Sequence, residues 1–87
     1  MAIKQVIMYT TKWCGDCMRS KQLLSQLGVE YEERDIEKKA EWVAEVERIN
    51  GGNKSVPTIL ISGEDGKQRV LVEPSNEQLR SELEVNK

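Results

Sequence analysis

The sequence predicts an α/β fold in which three helices flank a four-stranded mixed sheet, in the order β-α-β-α-β-β-α. Two observations lead to this prediction. In the first half of the chain, strand-like apolar runs alternate with stretches of helical periodicity, which is typical of a parallel βαβ unit. Later, a loop rich in turn residues, 63–67, separates two further strand-like runs and predicts an antiparallel hairpin before the last helix.

The first strand is predicted at Ile3–Tyr9. Its second half, Val6–Tyr9, is continuously apolar, as expected for a strand that is covered on both faces. A helix follows from about Gly15, with Leu23, Leu24 and Leu27 on one side. Gly28 stands where a glycine often ends a helix.

The second strand, Val29–Asp35, alternates apolar and charged residues and therefore indicates an edge strand. A second helix is predicted at Lys38–Asn50 and ends at a pair of glycines, 51–52. Within that helix, Glu45 and Arg48 have the spacing of an ion pair on one helix face.

The second half of the chain supplies the hairpin and the last helix. Its strands are predicted at Thr58–Ile61 and Gln68–Val72. The last helix begins at Pro74–Ser75, where Ser75 and Gln78 form a capping-box pattern.

Length and composition limit the classes of function. A chain of 87 residues predicts one domain, 1–87, with a thin core. The net charge of -2 gives no indication of nucleic-acid binding. No apolar run reaches transmembrane length, and the N-terminal residues lack the features of a signal peptide. We therefore expect a cytoplasmic protein with neither nucleic acid nor membrane as a partner.

The two cysteines of the chain, Cys14 and Cys17, form a Cys-x-x-Cys motif between the first strand and the first helix. A helix start has unpaired N–H groups and partial positive charge, which favour the nucleophilic thiolate. Residues 1–28 also carry a net charge of +3. The motif predicts a dithiol redox site in which Cys14 attacks and Cys17 resolves.

Other uses of the motif are also open. Cys-x-x-Cys supplies half of a structural zinc site, but the chain has no histidine and no second cysteine pair to complete one. Two chains could still pool four thiolates or share an iron–sulfur cluster. A purely structural disulfide is less favoured, because so small a loop gives little stabilisation.

Two segments carry a resemblance to a known family: Tyr9–Cys17, which includes Trp-Cys-Gly-Asp-Cys, and Gly51–Thr58, which includes Gly-Gly-Asn-Lys-Ser-Val-Pro. On these segments the chain resembles the glutaredoxins, the minimal thioredoxin fold, and is most similar to the mycoredoxin branch. The resemblance covers nearly the whole chain. It implies reduction of mixed disulfides between proteins and a low-molecular-weight thiol, without a bound cofactor. We expect a monomer.

The resemblance also implies roles for individual residues. The Val56–Pro57 bond should be cis and lie beside the cysteines, where the Val56 backbone can pair with a bound thiol or peptide. Lys12 and Lys54 would hold carboxylates of the thiol. Trp13 would flank the site, where it could shield the disulfide or stack on a partner.

The chain departs from the glutathione-using members of the family at the start of the last helix. Those members carry a glycine pair there, whereas this segment reads Val-Glu-Pro-Ser-Asn and Glu73 adds negative charge. The helix start could still bind an anion through Ser75 and Asn76. Mycothiol and bacillithiol therefore join glutathione as candidate thiols.

A second departure is Asp16, which stands inside the motif where the family often has an aromatic residue. A carboxylate close to Cys14 opposes its ionisation, so we expect Cys14 to be less acidic than in those relatives.

The nearest rival function is that of a redoxin that takes electrons from thioredoxin reductase and donates them to ribonucleotide reductase. That group typically has a Trp-Ser-Gly-Phe-like stretch before its last helix. The Val-Glu-Pro-Ser stretch at 72–75 argues against this function.

Overall fold

The computed structural model describes residues 3–85, so the ends of the predicted 1–87 domain lie outside the described residues. The predicted element order is confirmed. The elements are β1 (Ile3–Thr10), α1 (Gly15–Gln26), β2 (Glu32–Asp35), α2 (Ala40–Ile49), β3 (Thr58–Gly63), β4 (Gln68–Val72) and α3 (Asn76–Val85).

The strands form one sheet in the order β2-β1-β3-β4, in which β1 and β2 are parallel and the other neighbours antiparallel. Thr10 pairs with Asp35, Tyr9 with Thr58, and Thr58 with Val72. The ends of β1, β2 and β4 therefore lie beside the start of β3. We call this edge the site end of the sheet, because the cysteine motif follows β1 there.

The core has one cluster on each face of the sheet, which explains the continuous apolar run in β1. Val6 and Met8 join the cluster formed with α1 and α3, whereas Ile7 and Tyr9 join the cluster formed with α2. These four side chains are at most 7% exposed. The prediction that β1 is covered on both faces is confirmed.

The second strand is shorter than predicted. It begins at Glu32 instead of Val29, because the N–H of Val29 donates to the carbonyl of Leu24 at 2.9 Å and so belongs to the turn that ends α1. Gly28 takes the left-handed φ of +70° in that turn. The apolar side chains of Val29 and Tyr31 pack against the core cluster of α1 and α3. The prediction of an edge strand is confirmed.

The second helix begins two residues later than predicted. Lys38 uses its N–H in a tight turn, donating to the carbonyl of Asp35 at 3.0 Å, and Lys39 is the N-cap. Arg48 attracts Glu45 electrostatically, as their spacing predicts, but the hydrogen bonds of Glu45 go to residues of the sheet. Its Oε1 accepts hydrogen bonds from the Tyr9 hydroxyl at 2.8 Å and from Arg34 Nη1 at 2.6 Å.

Two carboxylates, one on α2 and one on β2, have lowered pKa values. Burial raises the pKa of Glu45, but the hydrogen bonds from Tyr9 and Arg34 more than offset this effect. Burial likewise raises the pKa of Glu33, and the contacts with Lys21 at 2.6 Å and Thr10 at 2.9 Å more than offset it. Each group therefore favours the folded state when it is ionised.

We expect the free energy of unfolding to fall as the pH drops below the ordinary glutamate pKa of 4.5, because the unfolded chain then binds protons that the folded protein resists. Glu45→Gln should cost about 1–2 kcal/mol at pH 7 and flatten this dependence. Urea unfolding between pH 7 and pH 3 measures both effects. Glu64→Gln, in the exposed hairpin loop, is the control; an equal change in both variants would contradict the expectation.

Candidate active site

The cysteine pair lies at the start of α1. Cys14 and Cys17 form a disulfide with their Cα atoms 5.1 Å apart. Cys14 is the N-cap residue, with extended backbone (φ −101°, ψ 106°), and its Sγ accepts the N–H of Cys17 at 3.0 Å. Cys14 is half-buried, whereas Cys17 is 1% exposed. A partner can therefore reach the sulfur of Cys14 more easily than that of Cys17.

In the reduced protein, a thiolate at Cys14 would occupy the position that hydrogen-bond acceptors prefer at a helix start. The helix dipole favours negative charge at the same place. Asp16, in the first turn of α1, adds a carboxylate, but its Oδ1 lies 3.2 Å from Nη2 of Arg19. This half-exposed ion pair partly compensates the charge that Asp16 brings to the motif.

The loop before the helix presents its side chains to solvent. Trp13 is 87% exposed, and the Nζ of Lys12 lies 5.6 Å from the centre of its ring. The N–H of Lys12 donates to Oε1 of Glu37 at 3.2 Å. The structure therefore brings Lys12 and Trp13 together beside Cys14 and adds Glu37, which the sequence analysis did not identify.

The Val56–Pro57 bond is cis, as the resemblance implied. Pro57 precedes Thr58, which pairs with Tyr9, so the cis bond lies alongside the end of β1. Val56 packs against the core cluster of α2, and Pro57 is buried. This arrangement puts the cis-proline turn and the cysteine loop at the same end of the sheet.

Buried polar groups hold this turn. The Thr58 hydroxyl, which is 0% exposed, donates to the carbonyl of Ser55 at 2.7 Å and accepts from Nδ2 of Asn50 at 2.8 Å. A buried hydroxyl without a hydrogen bond would destabilise the fold, whereas the two hydrogen bonds of this hydroxyl stabilise the turn. The turn is therefore held from both the end of α2 and the start of β3.

The segment between β4 and α3 reaches the same turn. The N–H of Glu73 donates to the carbonyl of Pro57 at 2.8 Å. Glu73 has a φ of +47°, in the left-handed region that glycine favours and other residues adopt at a cost of about 1–2 kcal/mol. Residues 72–76 include no glycine, so no local sequence pattern indicates this conformation.

The remaining predicted residues lie around this segment. The Oγ of Ser75 accepts the N–H of Gln78 at 3.1 Å, which confirms the predicted helix cap. Asn76 is the exposed first residue of α3, and Lys54 is exposed two residues before Val56. Ser75 and Asn76 thus follow closely on the Glu73–Pro57 contact, whereas Lys54 is an exposed residue before the cis-proline turn.

The charge around the site differs from the expectation based on residues 1–28. Glu37 comes to Lys12 from the segment after β2, and Glu73 comes to Pro57 from the segment after β4. The positive charge of the first segment is therefore balanced in part by the carboxylate of Glu37 at Lys12, whereas the contact of Glu73 is made by its backbone N–H.

Two further findings concern the described part of the chain. Within residues 3–85, no group of three or more histidine, cysteine, aspartate or glutamate side chains could hold a metal ion. Among the helices described there, none has both the length and the apolar character needed to cross a membrane.

Cys14 and Cys17 form a redox-active pair, in which the sulfur of Cys14 is accessible and that of Cys17 is buried. Such a pair performs the chemistry of a thiol–disulfide oxidoreductase. The family model for glutaredoxins matches residues 6–65. The chain belongs to the glutaredoxin family, whose members act on mixed disulfides of proteins and thiols, use glutathione-like thiols as co-substrates and need no bound cofactor.

Individual relatives agree with this assignment. A protein of Mycobacterium tuberculosis that is provisionally named a glutaredoxin is 36% identical over 83 residues, covering 95% of this chain and 94% of that protein. The crystal structure of a glutaredoxin from Methanosarcina mazei has a TM-score of 0.69 at 31% identity, over 91% of this chain and 77% of that one. The fold is also that of thioredoxin O2 from Arabidopsis thaliana, with a TM-score of 0.75 at 22% identity, over 99% and 77% of the two chains.

Proposed function

We propose that the protein reduces mixed disulfides between proteins and a low-molecular-weight thiol, with Cys14 as the nucleophile. The observation that carries the proposal is the asymmetry of the pair. The Sγ of Cys14 caps α1 and is half-buried, whereas Cys17 is 1% exposed. The sulfur of Cys14 can therefore exchange disulfides with small thiols, while the buried sulfur of Cys17 is less accessible to them.

The reaction is thiol–disulfide exchange. The Cys14 thiolate attacks the small thiol's sulfur in the mixed disulfide and forms a new S–S bond as the old one breaks. The client protein leaves as a thiolate and takes up a proton. A second small thiol then attacks this intermediate, releasing a small-molecule disulfide and the Cys14 thiolate. Cys17 can instead displace the bound thiol and form the intramolecular disulfide, which two further thiols reduce.

The proposal gives binding roles to residues at the site end of the sheet. The backbone of Val56, beside Pro57, pairs with the bound thiol, and Lys12 and Lys54 attract its polar groups. Trp13, which is 87% exposed, covers or stacks on the partner. Ser75 and Asn76 offer the start of α3, where the Ser75 hydroxyl already accepts the amide of Gln78.

Among glutathione, bacillithiol and mycothiol, we propose mycothiol as the preferred thiol. The support is the position of Glu73, whose backbone is fixed to the carbonyl of Pro57 at 2.8 Å. Its carboxylate lies in the segment that leads into α3, and like charges repel. Glutathione and bacillithiol carry carboxylates that would meet this repulsion at the start of α3, whereas mycothiol has none.

The same proposal includes one domain over residues 1–87, a monomer and a cytoplasmic location. A cytoplasmic pool of reduced small thiols would supply the electrons that each turnover consumes.

The proposal predicts that Cys17→Ser still turns over mixed disulfides, because Cys14 and free thiol suffice for the exchange. The substrate is a model protein that carries glutathione, mycothiol or bacillithiol in turn, with the matching thiol as reductant. We expect the variant to act faster on the mycothiol form than on the glutathione and bacillithiol forms.

The wild-type protein assayed with thioredoxin reductase is the comparison. A variant that is inert on all three forms, while the wild type reduces protein disulfides with that reductase, would refute the proposal and favour the redoxin function.

A further inference from the structure

Glu37 belongs to the connection between β2 and α2, yet it contacts the loop that carries Cys14. Its Oε1 accepts the N–H of Lys12 at 3.2 Å, two residues before Cys14. The side chain is exposed, so no core packing requires a carboxylate at this position. The contact joins two loops at the site end of the sheet.

Hydrogen bonds from backbone N–H groups hold the turn that contains Glu37. Its own N–H donates to Oδ1 of Asp35 at 2.9 Å, and the N–H of Lys38 donates to the carbonyl of Asp35 at 3.0 Å. The N–H of Ile36 donates to the carbonyl of Thr10 at 2.9 Å. This turn is therefore attached to the last residue of β1, directly before the loop that Glu37 contacts.

The loop has little other support. Within residues 3–85, the loop residues 11–13 form one hydrogen bond with another segment of the chain. It is the bond from the N–H of Lys12 to Glu37. The Sγ of Cys14 accepts the N–H of Cys17 only while the loop enters α1 with extended backbone at Cys14. A loop that is free to shift would carry the sulfur away from the helix start that favours its thiolate.

We propose that Glu37 is a positioning residue for the nucleophile: its carboxylate oxygen holds the backbone of Lys12 and thereby keeps the Cys14 sulfur at the start of α1. As far as turnover is concerned, this inference rests on the proposed function. The hydrogen bond and the charge of Glu37 act in opposite directions, because a nearby negative charge opposes a thiolate. Substitutions can therefore separate the two effects.

The test uses three substitutions at Glu37 in a Cys17→Ser background, where Cys14 is the single thiol. Gln keeps an acceptor oxygen of the same reach without the charge, Asp keeps the charge but is one methylene too short, and Ala has neither. The rate of Cys14 alkylation by neutral iodoacetamide is measured against pH. At neutral pH we expect Ala and Asp to lower this rate about three- to tenfold, the effect of one hydrogen bond.

We expect Glu37→Gln to recover the rate of the parent or to exceed it, and turnover of mixed disulfides to follow the same order. Glu41→Ala, which removes an exposed carboxylate from the first turn of α2, controls for net charge. An alkylation rate that Ala leaves unchanged would overturn the inference. So would a Gln variant as slow as Ala, or a Glu41→Ala variant that matches the loss.

Alkylation does not depend on which thiol the protein uses. If the protein reduced none of the three mixed disulfides, the proposed function would fail, whereas the alkylation series would still decide the role of Glu37.

Discussion

Cys14→Ser should lose the turnover of mixed disulfides by about a thousandfold or more, because a serine hydroxyl is not ionised near neutral pH and forms no disulfide. The structure makes this loss specific to one sulfur. Cys14 is the half-buried N-cap of α1, whereas Cys17 is 1% exposed beneath it. The measurement is kcat/KM with a protein mixed disulfide and its matching thiol.

Cys17→Ser is the matched control, since it removes the other sulfur with the same change in volume. We expect this control to keep substantial turnover, because a second small thiol can resolve the intermediate. If Cys14→Ser were active and Cys17→Ser inert, the assignment of nucleophile and resolving cysteine would be reversed. Loss of activity in both would mean that the pair acts only as a dithiol.

Leu24→Ala should cost about 2–5 kcal/mol of unfolding free energy, since it removes a fully buried side chain from a close-packed core. Leu24 is 0% exposed in the cluster that α1 and α3 form with the sheet. Proteins of this size have stabilities of about 5–15 kcal/mol, so the loss is a large share of the total. Urea unfolding of the variant, with both cysteines oxidised, measures it.

Met18→Ala is the control for Leu24→Ala because it lies on the same helix and is 58% exposed. We expect a change of about 0.5 kcal/mol or less for this exposed position. Equal losses in the two variants would contradict the core that the structure describes, since a buried and an exposed position would then contribute alike, and helix propensity, which favours alanine, explains neither loss.

Most of the fold could be predicted from the sequence because its signals are local. The continuous apolar run in β1 and the glycine at position 28 each specify an element or its end without knowledge of the rest. The exact bounds were less predictable. The strand β2 begins later than predicted, because the apolar side chains of Val29 and Tyr31 pack against the core cluster of α1 and α3 and do not belong to the strand.

The cysteine pair and the cis-proline turn could be predicted from the sequence and its resemblance, but the contacts that distant acidic residues make could not. Glu37 reaches Lys12 across 25 residues of chain, and Glu45 reaches Tyr9 across 36. These contacts depend on the register of β1 with β2 and on the packing of α2. Neither feature can be predicted from a local sequence pattern. The same limit applies to Glu45 on its own helix, where the spacing indicates the attraction to Arg48 but not the closer contact with Arg34 on the sheet.

Four strand ends meet at the site end of the sheet, so the residues of the redox site lie there and the opposite end of the sheet carries none of them. The β3–β4 hairpin turns at the far edge, where Gly63 pairs with Ile3, and its loop residues 64–67 are exposed. Changes in the length or composition of this hairpin would leave the cysteines and the cis-proline turn in place. A dye, an affinity handle or a second protein could therefore be attached there without contact with the cysteine pair.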